Sequence, residues 1–218
     1  MLTGGAGARG MALAFEEVFG IRNAFRGIHM AGRTDAWILT DAAAAHGISA
    51  DSPELARFRR VYFRVLADEI HKPGSGRKGI MPGVRALLDA IAFDGDAYLA
   101  LLTGNYEPAA RIKLEYFDLW RYFACGAFGD DAPDRNGLLP KALTQVASCG
   151  GPSFAAADTI VIGDTPLDIA CAKFSGARSL GVATGSHGVD DLRAAGADVV
   201  FGDLGDTDAV LRALSLEP

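Results

Sequence analysis

Thr159-Ile160-Val161-Ile162-Gly163-Asp164-Thr165-Pro166-Leu167-Asp168 is the stretch on which the fold turns. A short run of β-branched residues reads as a strand buried on both faces, and Gly163 and Asp164 end it. Pro166, at a first-turn position, and Asp168 after it open a helix. Leu101-Leu102-Thr103-Gly104-Asn105 repeats the arrangement upstream: an apolar strand over Tyr98 to Leu102, a polar end, then a helix from Pro108 to Phe117. Working outward, helices are expected over Val84 to Ile91, Leu138 to Ala147, Asp168 to Phe174 and Val189 to Ala195. Strands are expected over Phe123 to Phe128, Ser179 to Ala183 and Asp198 to Phe201, and a last outer helix over Asp203 to Leu214. Strands alternating with helices predict an α/β fold, a Rossmann-like parallel sheet with helices on both faces.

The first seventy residues read differently, as helices only. Ala8 to Phe19 carries a wide apolar stripe ended by Gly20, Thr34 or Asp35 caps a helix to Ala45, and Ser52-Pro53-Glu54 starts one to Ile70. Between this unit and the alternating region, residues 71–79 are rich in Pro, Gly and basic residues, the composition of a hinge. The expected division is a small all-helical domain over 1–78 and a sheet domain over 79–218.

Length and charge narrow the function. A chain of 218 residues buries about 70% of its unfolded surface, enough for a sizeable core. Its 21 Lys and Arg against 27 Asp and Glu give a net charge of −6, which offers no footprint for nucleic acid. No apolar run reaches the length of a membrane span. Cys125, Cys149 and Cys171 form neither a disulfide framework nor a zinc pattern, so a cytoplasmic setting is expected. The oligomeric state stays open.

In open parallel sheets, ligands bind at the carboxyl ends of the strands. Thr103-Gly104-Asn105 offers a hydroxyl, a close backbone approach and free amides, a cradle for an anion. Asp164 and Asp168, four apart at a strand end and helix start, suit a hard cation such as Mg²⁺. Taken singly, each is equally a turn or a helix cap; together, at two strand ends of one sheet, they point to a site.

The ordered set resembles the haloacid dehalogenase-like hydrolase superfamily, and within it the phosphoglycolate phosphatase-like members with a helical cap, over nearly the whole chain. Leu101 to Asn105 resembles the motif whose hydroxyl holds the transferred phosphoryl group. Ile162 to Asp168 resembles the motif whose first Asp binds magnesium and whose later Asp supports it. Gly32-Arg33-Thr34-Asp35 is similar to the cap loop facing substrate, and Met81-Pro82-Gly83-Val84 to the stretch leading out of the cap. The resemblance implies a magnesium-dependent phosphatase of a small phosphorylated metabolite. Thr103 and Arg135 would be catalytic, Gly104, Asn105 and Arg33 would bind substrate, and Asp164 and Asp168 would form the metal site.

Two departures stand out. Asp134-Arg135-Asn136-Gly137-Leu138-Leu139-Pro140 puts Arg135 where the family has Lys; Lys113 and Lys141, expected as solvated helix residues, are its rivals as the phosphate-binding cation. The family's Asp-x-Asp-Gly-Thr signature, which carries the attacking carboxylate, has no counterpart before Asp35, and Met1 to Gly7 resembles the segment just beyond that signature. The expectation is an internal start at Met1 and a sheet lacking its first strand, leaving these residues inactive alone. A 2-haloacid dehalogenase, which needs no metal, and a catalytically inactive phosphometabolite-binding relative are the alternatives. His29 and His71 read as surface residues, and His187 lies on the functional edge.

Overall fold

The computed structural model describes residues 1–74, 76–95 and 97–216. Ser75, in the expected hinge, lies outside the described residues. The chain begins with β1 (Leu2–Thr3), α1 (Ala6–Phe19), α2 (Asp35–Ala45), α3 (Pro53–Glu69) and β2 (Lys78–Gly79). It continues through α4 (Val84–Asp94), β3 (Leu101–Leu102), α5 (Glu107–Tyr116), β4 (Gly126–Ala127), α6 (Leu138–Ser148) and β5 (Ile160–Gly163). It closes with α7 (Pro166–Ser175), β6 (Arg178–Val182), α8 (Val189–Ala194), β7 (Val199–Phe201) and α9 (Thr207–Leu214).

The expected α/β class holds, with parallel pairing, but the strands form three ladders rather than one sheet. β5, β6 and β7 pair in parallel, with Ile162 opposite Leu180 and Leu180 opposite Val199. β3 pairs in parallel with β4 alone, Leu101 opposite Gly126. β1 runs antiparallel to β2, Leu2 opposite Gly79, so the hinge segment is tied to the first residues by main-chain bonds. Among the described residues, β3 and β5 each have one strand neighbour, and their second edges are unpaired. The expected strand over Phe123 to Phe128 shrinks to Gly126–Ala127, the two residues that pair with the two-residue β3. The last helix starts at Thr207 rather than Asp203, where the Asp206 carboxylate accepts from Ala209 N at 3.0 Å.

Helix packing follows the apolar stripes. Phe15, Phe58, Tyr62 and Leu66 of the front helices share one core with Tyr106 and Ala109. Phe15 and Phe58 meet edge-on at 5.9 Å between ring centres. Arg9 on α1 pairs with the buried Glu69 on α3 at 2.9 Å. One face of the three-stranded ladder packs Leu180 and Val182 against Leu87, Ile91 and Val210 of α4 and α9. The other packs Val161 against Leu139, Cys171 and Ala172 of α6 and α7. Helices therefore cover both faces of β5–β7, as continuous apolar strands require. Among the described residues, no helix is long and apolar enough to cross a membrane.

Candidate active site

The carboxyl ends of β3 and β5 open into one cavity of about 540 Å³. Thr103, Asn105, Arg135, Asp164 and Asp168 all line it, as does Arg33 from the loop before α2. Leu101 and Leu102 of β3 and Ile162 of β5, the last 40% exposed, line it too, so the cavity reaches the two strands whose second edges are unpaired among the described residues.

The β3 end is a tight turn. Thr103 Oγ1 accepts from Asn105 N at 3.2 Å, and Thr103 N donates to Ala127 O. Gly104 lines the cavity and also meets the cap loop. A Cβ on it would lie 2.4 Å from Arg33 O, so its missing side chain makes room for the backbone of the cap loop. Gly104 O accepts from Asp35 N at 2.6 Å, joining the two segments directly. Thr34 caps α2, its hydroxyl accepting from Trp37 N at 3.1 Å.

The β5 end is built around Asp168. Its Oδ2 accepts from Thr165 N at 3.0 Å, Thr165 Oγ1 at 2.8 Å and Asp164 N at 3.1 Å. Its Oδ1 accepts from Arg135 Nε at 2.8 Å and from a second guanidinium nitrogen. Thr165 and Asp168 form a capping box on α7, where Pro166 supplies the first turn. Arg135 also donates to Gly32 O at 3.2 Å, so it joins the β5 end to the cap loop.

Both oxygens of Asp168 are thus committed to protein donors, and Asp164 is the carboxylate that stands open to the cavity. Enclosure by the surrounding protein, and then the charge of Asp168, push the Asp164 carboxyl above the ordinary range even though its side chain reaches cavity solvent. Among the described residues, no cluster of three or more His, Cys, Asp or Glu side chains is placed to hold a metal. The oxygen donors present fit a hard cation such as Mg²⁺ that takes one carboxylate and keeps several waters.

Arg33 lies in the cavity wall but is largely engaged. It donates to Asp41 Oδ2 at 2.6 Å and to His29 O at 3.1 Å, and its guanidinium stacks 3.9 Å over Trp37, leaving Nε buried without a partner among the described residues.

Lys113 departs from the sequence expectation of a solvated residue. It is buried on α5, lines the cavity and donates to Asn105 Oδ1. Burial holds its ammonium below the usual lysine range, offset in part by the nearby Asp35. Asp35, also buried, accepts from Tyr106 N at 2.9 Å, and burial pushes its carboxyl up. The sequence named Lys113 as a rival cation but placed it in solvent, although Ala109, Ala110, Lys113 and Leu114 share one helical face and mark it as inward-pointing. Lys141 is half-buried on α6 outside the cavity lining, and His29 and His71 are exposed as expected. His187 is half-buried and does not line the cavity.

Residues 137–207, which contain Asp164 and Asp168, match the HAD-hydrolase-like family model. The chain covers 97% of itself and 93% of a structure described as a predicted phosphatase from Clostridium acetobutylicum, with a TM-score of 0.69 and 17% identity. This is a haloacid dehalogenase-like fold. A structure described as a predicted phosphoglycolate phosphatase from Haemophilus somnus 129pt superposes with a TM-score of 0.66 at 17% identity, over 95% of this chain and 91% of that one. By sequence, the chain is 29% identical over 144 residues to the probable phosphatase IndB of Dickeya dadantii (strain 3937). That match takes in 65% of this chain and 59% of the relative's length.

Proposed function

We propose that the cavity binds a small phosphorylated metabolite of the phosphoglycolate type, and that its chemistry is magnesium-dependent phosphomonoester hydrolysis in the cytoplasm. One observation carries this reading: Thr103 and Asp164, at the ends of separate parallel strands, line one cavity with Arg135 and Asn105. The names of the similar phosphatases support it.

In this reading Thr103 Oγ1 and the turn amides of Gly104 and Asn105 receive phosphoryl oxygens. Arg135 neutralises charge from the opposite wall, and Lys113 reinforces it through Asn105. Asp164 would hold Mg²⁺, which when bound offsets phosphoryl charge; Asp168 is the positioning residue that fixes Arg135 and the Asp164 backbone. The helical unit over 1–78 acts as a cap on the sheet unit over 79–218 and limits water in the cavity. Arg33, in the cavity wall, contributes at the cap side.

The attacking carboxylate is not one of the three in the cavity. Asp168 is fully hydrogen-bonded, Asp35 is held by Tyr106, and Asp164 is the open cation ligand. The unpaired edges of β3 and β5 are where a strand bearing such a carboxylate would seat. Residues 1–218 alone are therefore expected to bind phosphate and release little of it from 2-phosphoglycolate, with or without Mg²⁺. The same engagement of the carboxylates favours a second reading, a phosphometabolite-binding protein without turnover.

Isothermal titration with inorganic phosphate, on the wild type and Thr103→Ala, tests the reading. Expected is a loss of about tenfold in affinity for the variant, the value of one or two hydrogen bonds to a charged group. Absence of phosphate binding to the wild type overturns it. Efficient phosphate release by residues 1–218 overturns the assignment of the attacking group, and halide release from chloroacetate without Mg²⁺ favours dehalogenation instead.

A further inference from the structure

Outside the cavity that holds Asp164, the fold brings together two thiols that lie far apart in sequence. Cys125 immediately precedes β4, and its carbonyl accepts from Leu101 N at 3.0 Å. Cys149 caps the far end of α6, its N–H donating to Gln145 O at 2.8 Å. Both border a second cavity of about 250 Å³, together with Trp120, Phe128 and Gln145. Cys149 is exposed and Cys125 is half-buried, so an incoming reagent reaches Cys149 first. Tyr98 is a shared neighbour. Its Oη lies 3.7 Å from Cys125 Sγ, and a Cβ on Gly151, two residues beyond Cys149, would stand 2.7 Å from its ring. Desolvation, and then a hydrogen bond to Cys125, raise the Cys149 thiol above its ordinary range, in keeping with two sulfurs side by side.

The phenol suits a thiol that must ionise. Contact with Cys125 holds the proton on Tyr98, so its O–H can donate to the Cys125 sulfur as a thiolate forms there. The third cysteine provides a contrast within the same chain. Cys171 is fully buried on α7 against Leu139 and Val161 and lines neither cavity, which leaves it inert as a core thiol.

We propose that Cys125 and Cys149 form a reversible modification site, a dithiol that a low-molecular-weight disulfide of the oxidised glutathione type converts to an internal disulfide. In the first step Cys149, its proton lost to solvent, attacks one sulfur of the incoming disulfide, forming a mixed disulfide and expelling one thiolate. In the second the Cys125 thiolate attacks Cys149 Sγ, closing the Cys125–Cys149 bond and expelling the second thiolate. The two protons given up by the protein end on the two released thiols, and the two electrons it loses reduce the small disulfide. The new bond ties the end of α6 to the strand whose Ala127 O holds Thr103 N. In a reducing compartment such a bond is transient and reports oxidation. The site goes beyond the phosphatase reading and does not depend on it.

The test treats the reduced, native chain with oxidised glutathione at mildly alkaline pH, blocks the remaining thiols with N-ethylmaleimide under denaturing conditions, and locates every modified cysteine by mass spectrometry. The wild type is expected to carry a Cys125–Cys149 bond, with Cys171 bearing the maleimide, and dithiothreitol should restore all three thiols. Cys125→Ser, which removes the second attacking sulfur, should accumulate a glutathione adduct on Cys149. Cys149→Ser should form no internal bond and consume oxidised glutathione roughly tenfold more slowly, because the exposed thiol attacks first. A wild type that stops at a glutathione adduct, stays reduced, or links through Cys171 overturns the site. Those outcomes leave the phosphatase reading untouched, since phosphate binding is measured separately on the reduced chain.

Discussion

Removing the Asp168 carboxylate should destabilise the protein more than any other single change at the site. Asp168→Ala strands the Arg135 guanidinium, whose side chain is 12% exposed, without its carboxylate. Breaking a buried pair from one side costs about 3–5 kcal/mol, and the lost N-cap partner of α7 adds about 1 kcal/mol. A loss of about 5 kcal/mol is expected, a large part of the roughly 5–15 kcal/mol that holds a domain folded. Urea denaturation followed by far-ultraviolet circular dichroism measures it; with a slope of about 2–3 kcal/mol per molar, the midpoint should fall by about 1.7–2.5 M. The cause is tested with Arg135→Met and the double variant. If the cost is an uncompensated cation, the double variant should be little worse than Asp168→Ala, with a coupling of about 2 kcal/mol. A midpoint shift below about 0.3 M for Asp168→Ala, or additivity of the two single changes within about 0.5 kcal/mol, would refute the reasoning.

Gly83 has φ +75° and a Cβ on it would lie 1.7 Å from Leu204 O, so Gly83→Ala should cost about 3 kcal/mol or more and lower the melting temperature by roughly 6–12 °C in calorimetry. Asp35 carries a raised folded-state pKa, so it stabilises most at pH below the ordinary carboxylate range and loses that contribution as pH rises through its folded value. Asp35→Asn should therefore gain melting temperature relative to the wild type between pH 3.5 and pH 7, and an unchanged difference across that range contradicts the burial argument. Phe174 is 68% exposed at the end of α7, and Phe174→Ser should alter stability by no more than about 0.5 kcal/mol in the same urea titration.

The features legible in the sequence are those whose cause is local. The strand at Ile160–Gly163 and the start of α7 follow from a β-branched run and Thr165-Pro166, and the cap of α2 follows from Thr34. What escaped depends on neighbours distant in sequence. Nothing near Gly104 announces that, besides lining the cavity, it has Arg33 O lying against it. The charged run of α5, Glu107 to Glu115, suggests a solvated helix, yet the face holding Lys113 is covered by the front helices.

The loop over residues 30–35 is fastened at two places, to Gly104 O through Asp35 N and to Arg135 through Gly32 O. Those two attachments reach the halves of the molecule that hold Thr103 and Asp168 respectively. In the proposed phosphatase, an outward swing of the front helices would break both bonds, loosening the turn after β3 and releasing the Arg135 guanidinium from Gly32 O while Asp168 still holds it. Entry of ligand and tightness of grip would then be coupled through these two bonds, a door whose hinges are also its jaws.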